Sequence, residues 1–222
     1  MTPRFRLIGT DAEVKLDSPR LIIAGYTGRN EVAVAAHIAE LAAIGIPPPA
    51  SVPAFFVLDT SLVTSDPVVT ISGSNTSGEV EPVLIRHKGR YYLGVGSDHT
   101  DRDVERSDIA ASKAACPKPV GHQVVALPGD LAMLDWDAID VESDVDGEPY
   151  QRGSLAAMRT PTDLLSRMAA TLGQVEDDLV IFCGTVPLLT GAFRAGRHWR
   201  IQLTLNANTA LIHTYEVLPH DG

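Results

Sequence analysis

Along the chain, short runs of β-branched and apolar residues alternate with turns marked by glycine and proline, and a few helical stretches interrupt them. Residues 4–9 and 19–25 read as strands, the second closed by Gly25. Tyr26 to Arg29 then makes a loop. Asn30 suits the cap of a helix over 31–44, with Glu31 in its first turn and Gly45 and the prolines at 47–49 to stop it. Apolar residues nearly encircle this helix, which predicts that it is well buried. Strands are predicted at 53–58 and 67–72, then a short helix over 107–116 capped by Ser107. Strand-like and acidic pieces alternate over 120–145, with a turn at Asp146-Gly147. An amphipathic helix over 162–172, ended by Gly173, precedes strands at 179–183, 198–205 and 210–217. No repeat, low-complexity tract or linker interrupts the pattern, so a single mixed domain over residues 1–222 is the expectation.

The stretch 79–103 organises the rest. Glu79 and Glu81 are two apart at the start of a strand-like run through Ile85, so both carboxylates leave the same face. His87 to Arg90 is a polar turn with glycine, and a second strand-like run covers 91–96. With Lys88-Gly89 as a two-residue hairpin loop, Asp98 falls opposite Glu79, on the face that already carries both glutamates. Three anions at one point need a cation, and an all-oxygen set suits Mg²⁺, Mn²⁺ or Ca²⁺ rather than zinc. On pattern alone, the same alternation also fits an ordinary strand with one face in solvent. Pro82, inside the first run, fits best at a sheet edge.

Three smaller constellations stand beside it. His37 and Glu40 share one face of the first helix. An imidazole held by a carboxylate in apolar surroundings is oriented and made more basic, as a general base requires, although the spacing equally fits a surface pair. Lys113 is the lone lysine of its short helix; it could bring a cation to the carboxylates or simply be solvated. Gly184-Thr185, at a strand end, could hold an anion through a backbone N–H and a hydroxyl, or merely end the strand. The GVGS stretch at 94–97 has no following helix, so it is neither a dinucleotide fingerprint nor a hydrolase elbow.

Composition narrows the partners. The 222 residues are 45% hydrophobic and 21% charged, ordinary for a soluble globular protein. A net charge of −10 argues against nucleic-acid binding through a basic face. Cys116 and Cys183 lie far apart without CxxC spacing, which predicts reduced, partly buried thiols rather than a bridge. The N-terminal stretch lacks the apolar core of a signal peptide, and no apolar run approaches membrane-spanning length. A cytoplasmic protein without a membrane partner is the expectation.

Taken in order, these pieces resemble the fumarylacetoacetate hydrolase superfamily, whose members include acylpyruvate hydrolases, oxaloacetate decarboxylases and oxopentenoate hydratases. Gly28-Arg29-Asn30 followed by His37-Ile38-Ala39-Glu40 is similar to the family's GRN…HxxE entry with its catalytic His–Glu dyad. Glu79-Val80-Glu81 resembles its ExE metal motif, and 98–104 (DHTDRDV) its DxTxRDV segment, whose first aspartate is the third metal ligand. Lys113 takes the place of the family's active-site lysine. Residues 147–154 (GEPYQRGS), with Gln151, resemble a GxxxQxG stretch, and 180–187 (VIFCGTVP) a TGTP strand end where Thr185 would bind the substrate carboxylate. There are departures: Val57 to Thr60 stand where a KP-containing segment is usual, Glu105 replaces a frequent glutamine, the segment between Asp98 and Lys113 is short, and CGTVP interrupts TGTP.

The resemblance implies an α+β fold with a mixed, mainly β core, rolled or barrel-like, flanked by a few helices and often dimeric. It implies Mg²⁺ on Glu79, Glu81 and Asp98, with Mn²⁺ or Ca²⁺ as alternatives. His37, Glu40 and Lys113 would be catalytic, and Arg29, Gln151, Gly184 and Thr185 would bind substrate. The implied activity is hydrolysis of a C–C bond in a 2-oxo acid of acylpyruvate or β-diketo type, with decarboxylation as a side reaction. A hydratase or isomerase of 2-oxo-enoic acids, or a ligand-binding module without turnover, are the alternatives.

Overall fold

This computed structural model describes residues 3–43, 48–175 and 178–219, without the side chains of His37 and Leu41. The chain opens with β1 (Arg4–Leu7), β2 (Glu13–Lys15), β3 (Arg20–Gly25), α1 (Glu31–Ala43) and β4 (Ala54–Leu58). After β5 (Val63–Thr64), β6 (Val68–Ile71) and β7 (Thr76–Ser77) comes the hairpin β8 (Val80–His87) and β9 (Arg90–Ser97). Next are β10 (Thr100–Asp101), α2 (Arg102–Glu105), α3 (Ile109–Ala114), β11 (Lys118–Pro119) and β12 (Gln123–Ala126). The last third holds β13 (Asp140–Val145), β14 (Glu148–Ser154), α4 (Pro161–Leu172), β15 (Leu179–Phe182), β16 (His198–Asn206) and β17 (Thr209–Pro219).

A mixed eight-stranded sheet in the order β2-β1-β12-β9-β8-β15-β3-β4 carries the hairpin at its centre. A second sheet runs β14-β13-β16-β17-β6. Alternate residues of the central strands face two different cores. Ile22, Val80, Leu84 and Ile181 pack with Ile201, Leu203 and Leu211 of the second sheet and with Leu164 and Met168 of α4. Their neighbours Leu21, Ile23, Val83, Ile85, Val180 and Phe182 pack with Phe5, Val14, Leu16 and Val124, around which the larger sheet curls. Burial on both faces explains why these strands read as unbroken apolar runs, and each fully buried Val, Leu or Ile contributes about 1.5–3 kcal/mol. The predicted mixed, mainly β core with a few flanking helices is the fold observed.

Four local expectations need correction. Pro82 sits in β8, an interior strand rather than an edge. It is tolerated because its carbonyl accepts from Cys183 N at 3.0 Å just as β15 ends at Phe182, so the missing N–H falls where the neighbouring ladder stops. The short helix expected over 107–116 is α3, shorter than expected, and a separate short helix, α2, precedes it. Asp101 caps α2 by accepting from Asp103 N and Val104 N, and Asp108, not Ser107, caps α3 by accepting from Ala111 N. Two carboxylate caps in one segment divide it. The helix over 162–172 begins a residue earlier, with Pro161 in its first turn behind a Thr160 cap.

The largest correction concerns α1. Asn30 caps it as expected, accepting from Val32 N and Ala33 N at 3.1 Å each. Yet among its described side chains only Val34 and Ile38 are half-buried; the rest are exposed, Val32 at 80%. An apolar surface that nearly encircles a helix calls for cover, and the described residues of this chain leave most of it open. The predicted stop at Gly45 and Pro47 lies outside the described residues. Both cysteines are free and buried, as expected. No helix among the described residues is long and apolar enough to cross a membrane.

Candidate metal and substrate site

The β8–β9 turn decides where the acidic residues point. Lys88 and Gly89 adopt φ of 49° and 73°, the left-handed pair of a two-residue hairpin. Val80 then pairs with Ser97 and Glu81 with Gly96, and Asp98 N donates to the Glu79 carbonyl at 3.0 Å. This is the register expected from the alternation, and it sets Asp98 across from Glu79. Asp98 is fully buried, Glu81 is 3% exposed, and Glu79 is half-buried.

Each carboxylate is tethered through part of its capacity. Glu81 Oε2 accepts from Gly184 N at 2.7 Å. That contact needs glycine: Gly184 has φ +95°, and a Cβ there would lie 1.8 Å from Thr27 Oγ1. Burial, and then the Asp98 charge, push the Glu81 carboxyl well above the usual range. Asp98 Oδ2 accepts from Lys113, and Lys118 Nζ lies 3.1 Å from Oδ1. Burial alone would raise the Asp98 pKa, but the two ammonium groups outweigh it and bring it to about 2. The lysines are pulled opposite ways. Burial opposes charge on both, yet Asp98, Glu79 and Glu81 together raise Lys113, whereas Lys118, enclosed without exposure, is lowered.

Three further groups surround the carboxylates. Arg102 donates to Glu79 Oε2 at 3.0 Å and to both Glu105 oxygens, and these charges hold its guanidinium protonated against burial. His99 bridges Tyr215 and Thr76 at 3.1 Å each; burial and the charges of Lys118 and Arg102 depress its pKa to about 3, so the ring is neutral. Tyr26 has φ 57°, uncommon for a bulky residue. Its phenol is raised by burial and Glu105 and lowered by Lys113, so it senses both groups.

A hard divalent cation fits this donor set. Asp98 Oδ1 faces the Lys118 ammonium at 3.1 Å, and the Asp98 and Glu79 charges that oppose ionisation of Glu81 would be relieved by a cation. As they stand, the side chains are not preassembled: among the described residues, no three His, Cys, Asp or Glu groups are arranged to hold a metal.

Residues 24–215 match the family described as "Protein of unknown function (DUF2848)". The chain belongs to that family. No curated protein matches this DUF2848 chain. Among solved structures, it is similar to a provisionally assigned fumarylacetoacetate isomerase/hydrolase from Oleispira antarctica. That pair shares 22% identity at a TM-score of 0.68, over 96% of this chain and 99% of that one. It is also similar to fumarylpyruvate hydrolase from Pseudomonas aeruginosa in complex with Mn²⁺ and pyruvate, at 16% identity and a TM-score of 0.64, over 99% and 97% of the two chains. A third is 5-carboxymethyl-2-hydroxymuconate delta-isomerase from Mycobacterium smegmatis, at 15% and 0.65, over 96% and 87%. These likenesses show a shared fold.

The remaining residues singled out in the DUF2848 chain lie as follows. Gln151 is fully buried: its Oε1 accepts from Val80 N and Ser143 Oγ, and its Nε2 donates to Thr185 Oγ1 and the Val186 carbonyl. Thr185 Oγ1 donates to the Val80 carbonyl at 2.7 Å, which fixes the β15 exit against the start of β8. Arg29 is exposed and makes a two-pronged pair with Asp137 at 2.8 and 2.7 Å. Glu40 is exposed on α1, and the His37 side chain lies outside the described residues.

Lys118, Arg102, Glu105 and Tyr26 received no role from the sequence. Arg102 and Glu105 lie in or beside the 98–104 segment already singled out, and their i,i+3 spacing was a usable signal. Lys118, between Pro117 and Pro119, belongs to no period, and a tyrosine with positive φ leaves no mark in the sequence.

Proposed function

We propose that this protein binds a divalent cation, Mg²⁺ or Mn²⁺, at Glu79, Glu81 and Asp98, and cleaves a C–C bond in a small 2-oxo acid. The observation that carries this reading is the pair of buried carboxylates, Glu81 and Asp98, close enough for the Asp98 charge to oppose that of Glu81, with Lys113 and Lys118 beside Asp98. The Mn²⁺ and pyruvate held by the Pseudomonas aeruginosa neighbour support the pairing of a divalent metal with a 2-oxo acid. When bound, such a cation acts as a Lewis acid on a carbonyl oxygen.

The chain's own groups supply the rest. Gly184 N–H holds Glu81 in its rotamer, and the Gln151–Thr185–Val80 bonds fix the strand end that presents it. Lys113 stays protonated because three carboxylates face it, so its ammonium can offset negative charge developing on the substrate. Its donation to Asp98 leaves two N–H bonds for a substrate oxygen. In this reading His37, oriented by Glu40, takes the proton from water that attacks a distal carbonyl, and Arg29 borders the entrance. The protein acts as a homodimer, and the uncovered apolar surface of α1 supports that assembly.

The test is a panel of acylpyruvates, oxaloacetate and 2-oxopentenoates, assayed with Mg²⁺ on wild type, Glu81→Ala and His37→Ala. Acylpyruvate hydrolysis should be lost in Glu81→Ala and should fall roughly 10²–10⁴-fold in His37→Ala, the usual worth of a positioned base. Decarboxylation, which needs no activated water, should be partly retained in His37→Ala. Turnover of none of these compounds, or wild-type rates in Glu81→Ala, would overturn the reading.

A further inference from the structure

Arg102 is the arginine buried beside the carboxylates, at 5% exposure. A guanidinium has five N–H donors, and here all five are used inside the protein. Nε donates to Ser77 Oγ at 2.7 Å. Nη1 donates to Glu105 Oε1 and Oε2 at 3.1 and 2.9 Å. Nη2 donates to the Ser77 carbonyl at 3.4 Å and to Glu79 Oε2 at 3.0 Å. The Phe193 ring covers one guanidinium face, its centroid 3.6 Å from Cζ. Two-pronged capture of a carboxylate needs a pair of unused parallel N–H bonds, and Arg102 has none to offer.

The charges around the site lead to the same place. Four carboxylates (Glu79, Glu81, Asp98 and Glu105) stand against three cations (Arg102, Lys113 and Lys118). A divalent metal turns the net charge to plus one, which a single substrate carboxylate neutralises. Glu105 remains partly open, its side chain 21% exposed, and the Arg102 guanidinium that holds it also holds Glu79, so Glu105 borders the space beside the proposed metal ligands. A second substrate carboxylate entering that space would meet the Glu105 charge, and Arg102 beside it has no donor left to receive it. Like charges brought together in a recognition site cost several kcal/mol.

We propose that Glu105 makes this site selective for 2-oxo acids with a single carboxylate and an uncharged or hydrogen-bond-donating tail, and that it rejects 2-oxo diacids. This rests on the 2-oxo acid reading of the same site. The Glu105 carboxylate selects twice: it ties up Arg102, and it repels an anionic tail while accepting a hydrogen bond from a hydroxyl or amide.

The experiment measures binding by calorimetry with Mg²⁺ present, using 2-oxohexanoate, 2-oxoadipate and the 6-methyl ester of 2-oxoadipate. Wild type should bind 2-oxohexanoate and the ester at least about tenfold more tightly than the diacid. Because the ester differs from the diacid by the tail charge and a single methyl group, that comparison needs no variant. Glu105→Gln should strengthen diacid binding roughly tenfold and leave 2-oxohexanoate within about twofold. Its Mg²⁺-dependent gain in melting temperature should match wild type. Diacid binding to wild type as tight as the ester's would overturn the proposal, as would a folded Glu105→Gln protein with an unchanged preference. Binding of none of the three would instead overturn the 2-oxo acid reading, and the selectivity with it.

Discussion

The β8–β9 hairpin occupies the two central places of the eight-stranded sheet, whereas α1 lies outside it with most of its described residues in solvent. Both carry residues of the proposed chemistry, yet they are built in opposite ways. The carboxylates of the hairpin are enclosed: Lys113 and Lys118 keep Asp98 charged against burial, Arg102 pairs with Glu79, and Gly184 N positions Glu81. The first helix is held by its Asn30 cap, by Val34 and Ile38, and by the Glu31–Arg159 pair at 2.8 Å. Substitution in the hairpin therefore tests the fold and the chemistry together, while substitution on α1 tests function almost alone.

The sharpest contrast comes from removing a buried cation. Lys118→Met should destabilise the protein by about 3–5 kcal/mol, because Asp98 loses one of its two partners without exposure to water. Thermal melting should show a fall on the order of 10 °C. A shift of a degree or less would mean that Lys113 alone carries Asp98.

Acid should attack the packing behind the hairpin next. His213 on β17 lies 7% exposed, and its Cβ approaches Gly121, which also packs on Val95 of β9. Burial and the neighbouring His122 lower its pKa to about 4. The folded form thus binds fewer protons than the unfolded chain between about pH 6.5 and 4. The corresponding stability is present above pH 6.5 and is lost as pH falls towards 4, on the order of 3 kcal/mol. Urea unfolding of wild type and His213→Asn across that range should converge as pH drops; parallel curves would contradict the assignment.

Gly184→Ala comes third. Its left-handed backbone and the approach of Thr27 should cost about 1–3 kcal/mol. Because Glu81 loses its tether, metal affinity should fall along with stability. Unchanged metal affinity in a folded Gly184→Ala protein would show that Glu81 needs no such hold. The smallest effect belongs to α1: Val32→Ser should change stability by no more than about 0.5 kcal/mol in the isolated chain. A cost of about 2 kcal/mol that depends on protein concentration would show that a second copy covers the helix in solution.

The same contrast runs through what the sequence disclosed. The hairpin was legible because a period-two pattern and a Lys-Gly turn jointly specify register, and a one-residue slip would have turned Glu79, Glu81 and Asp98 to the opposite face. Burial of both cysteines and the amphipathic α4 were equally readable. Periodicity cannot say what covers a helix, however, so an all-round apolar α1 read as buried when most of its described side chains are exposed. Pro82 read as an edge residue because its tolerance depends on where β15 stops, a long-range fact. The caps of α2 and α3 were hidden by competition among Asp101, Asp103, Ser107 and Asp108, any of which suits a cap. Lys118 and the Arg102–Glu105 pair act through tertiary contacts, and only the second left a trace in spacing.

The central claim is that Glu79, Glu81 and Asp98 together hold a divalent cation. Thermal melting of EDTA-treated protein with and without millimolar Mg²⁺ or Mn²⁺, in wild type and Glu81→Ala, tests it most directly. At about a hundredfold excess over Kd the metal should add about 3 kcal/mol to wild type, and Glu81→Ala should lose most of that gain. A wild-type melting temperature indifferent to EDTA and to both metals, or an equal gain in Glu81→Ala, would contradict it.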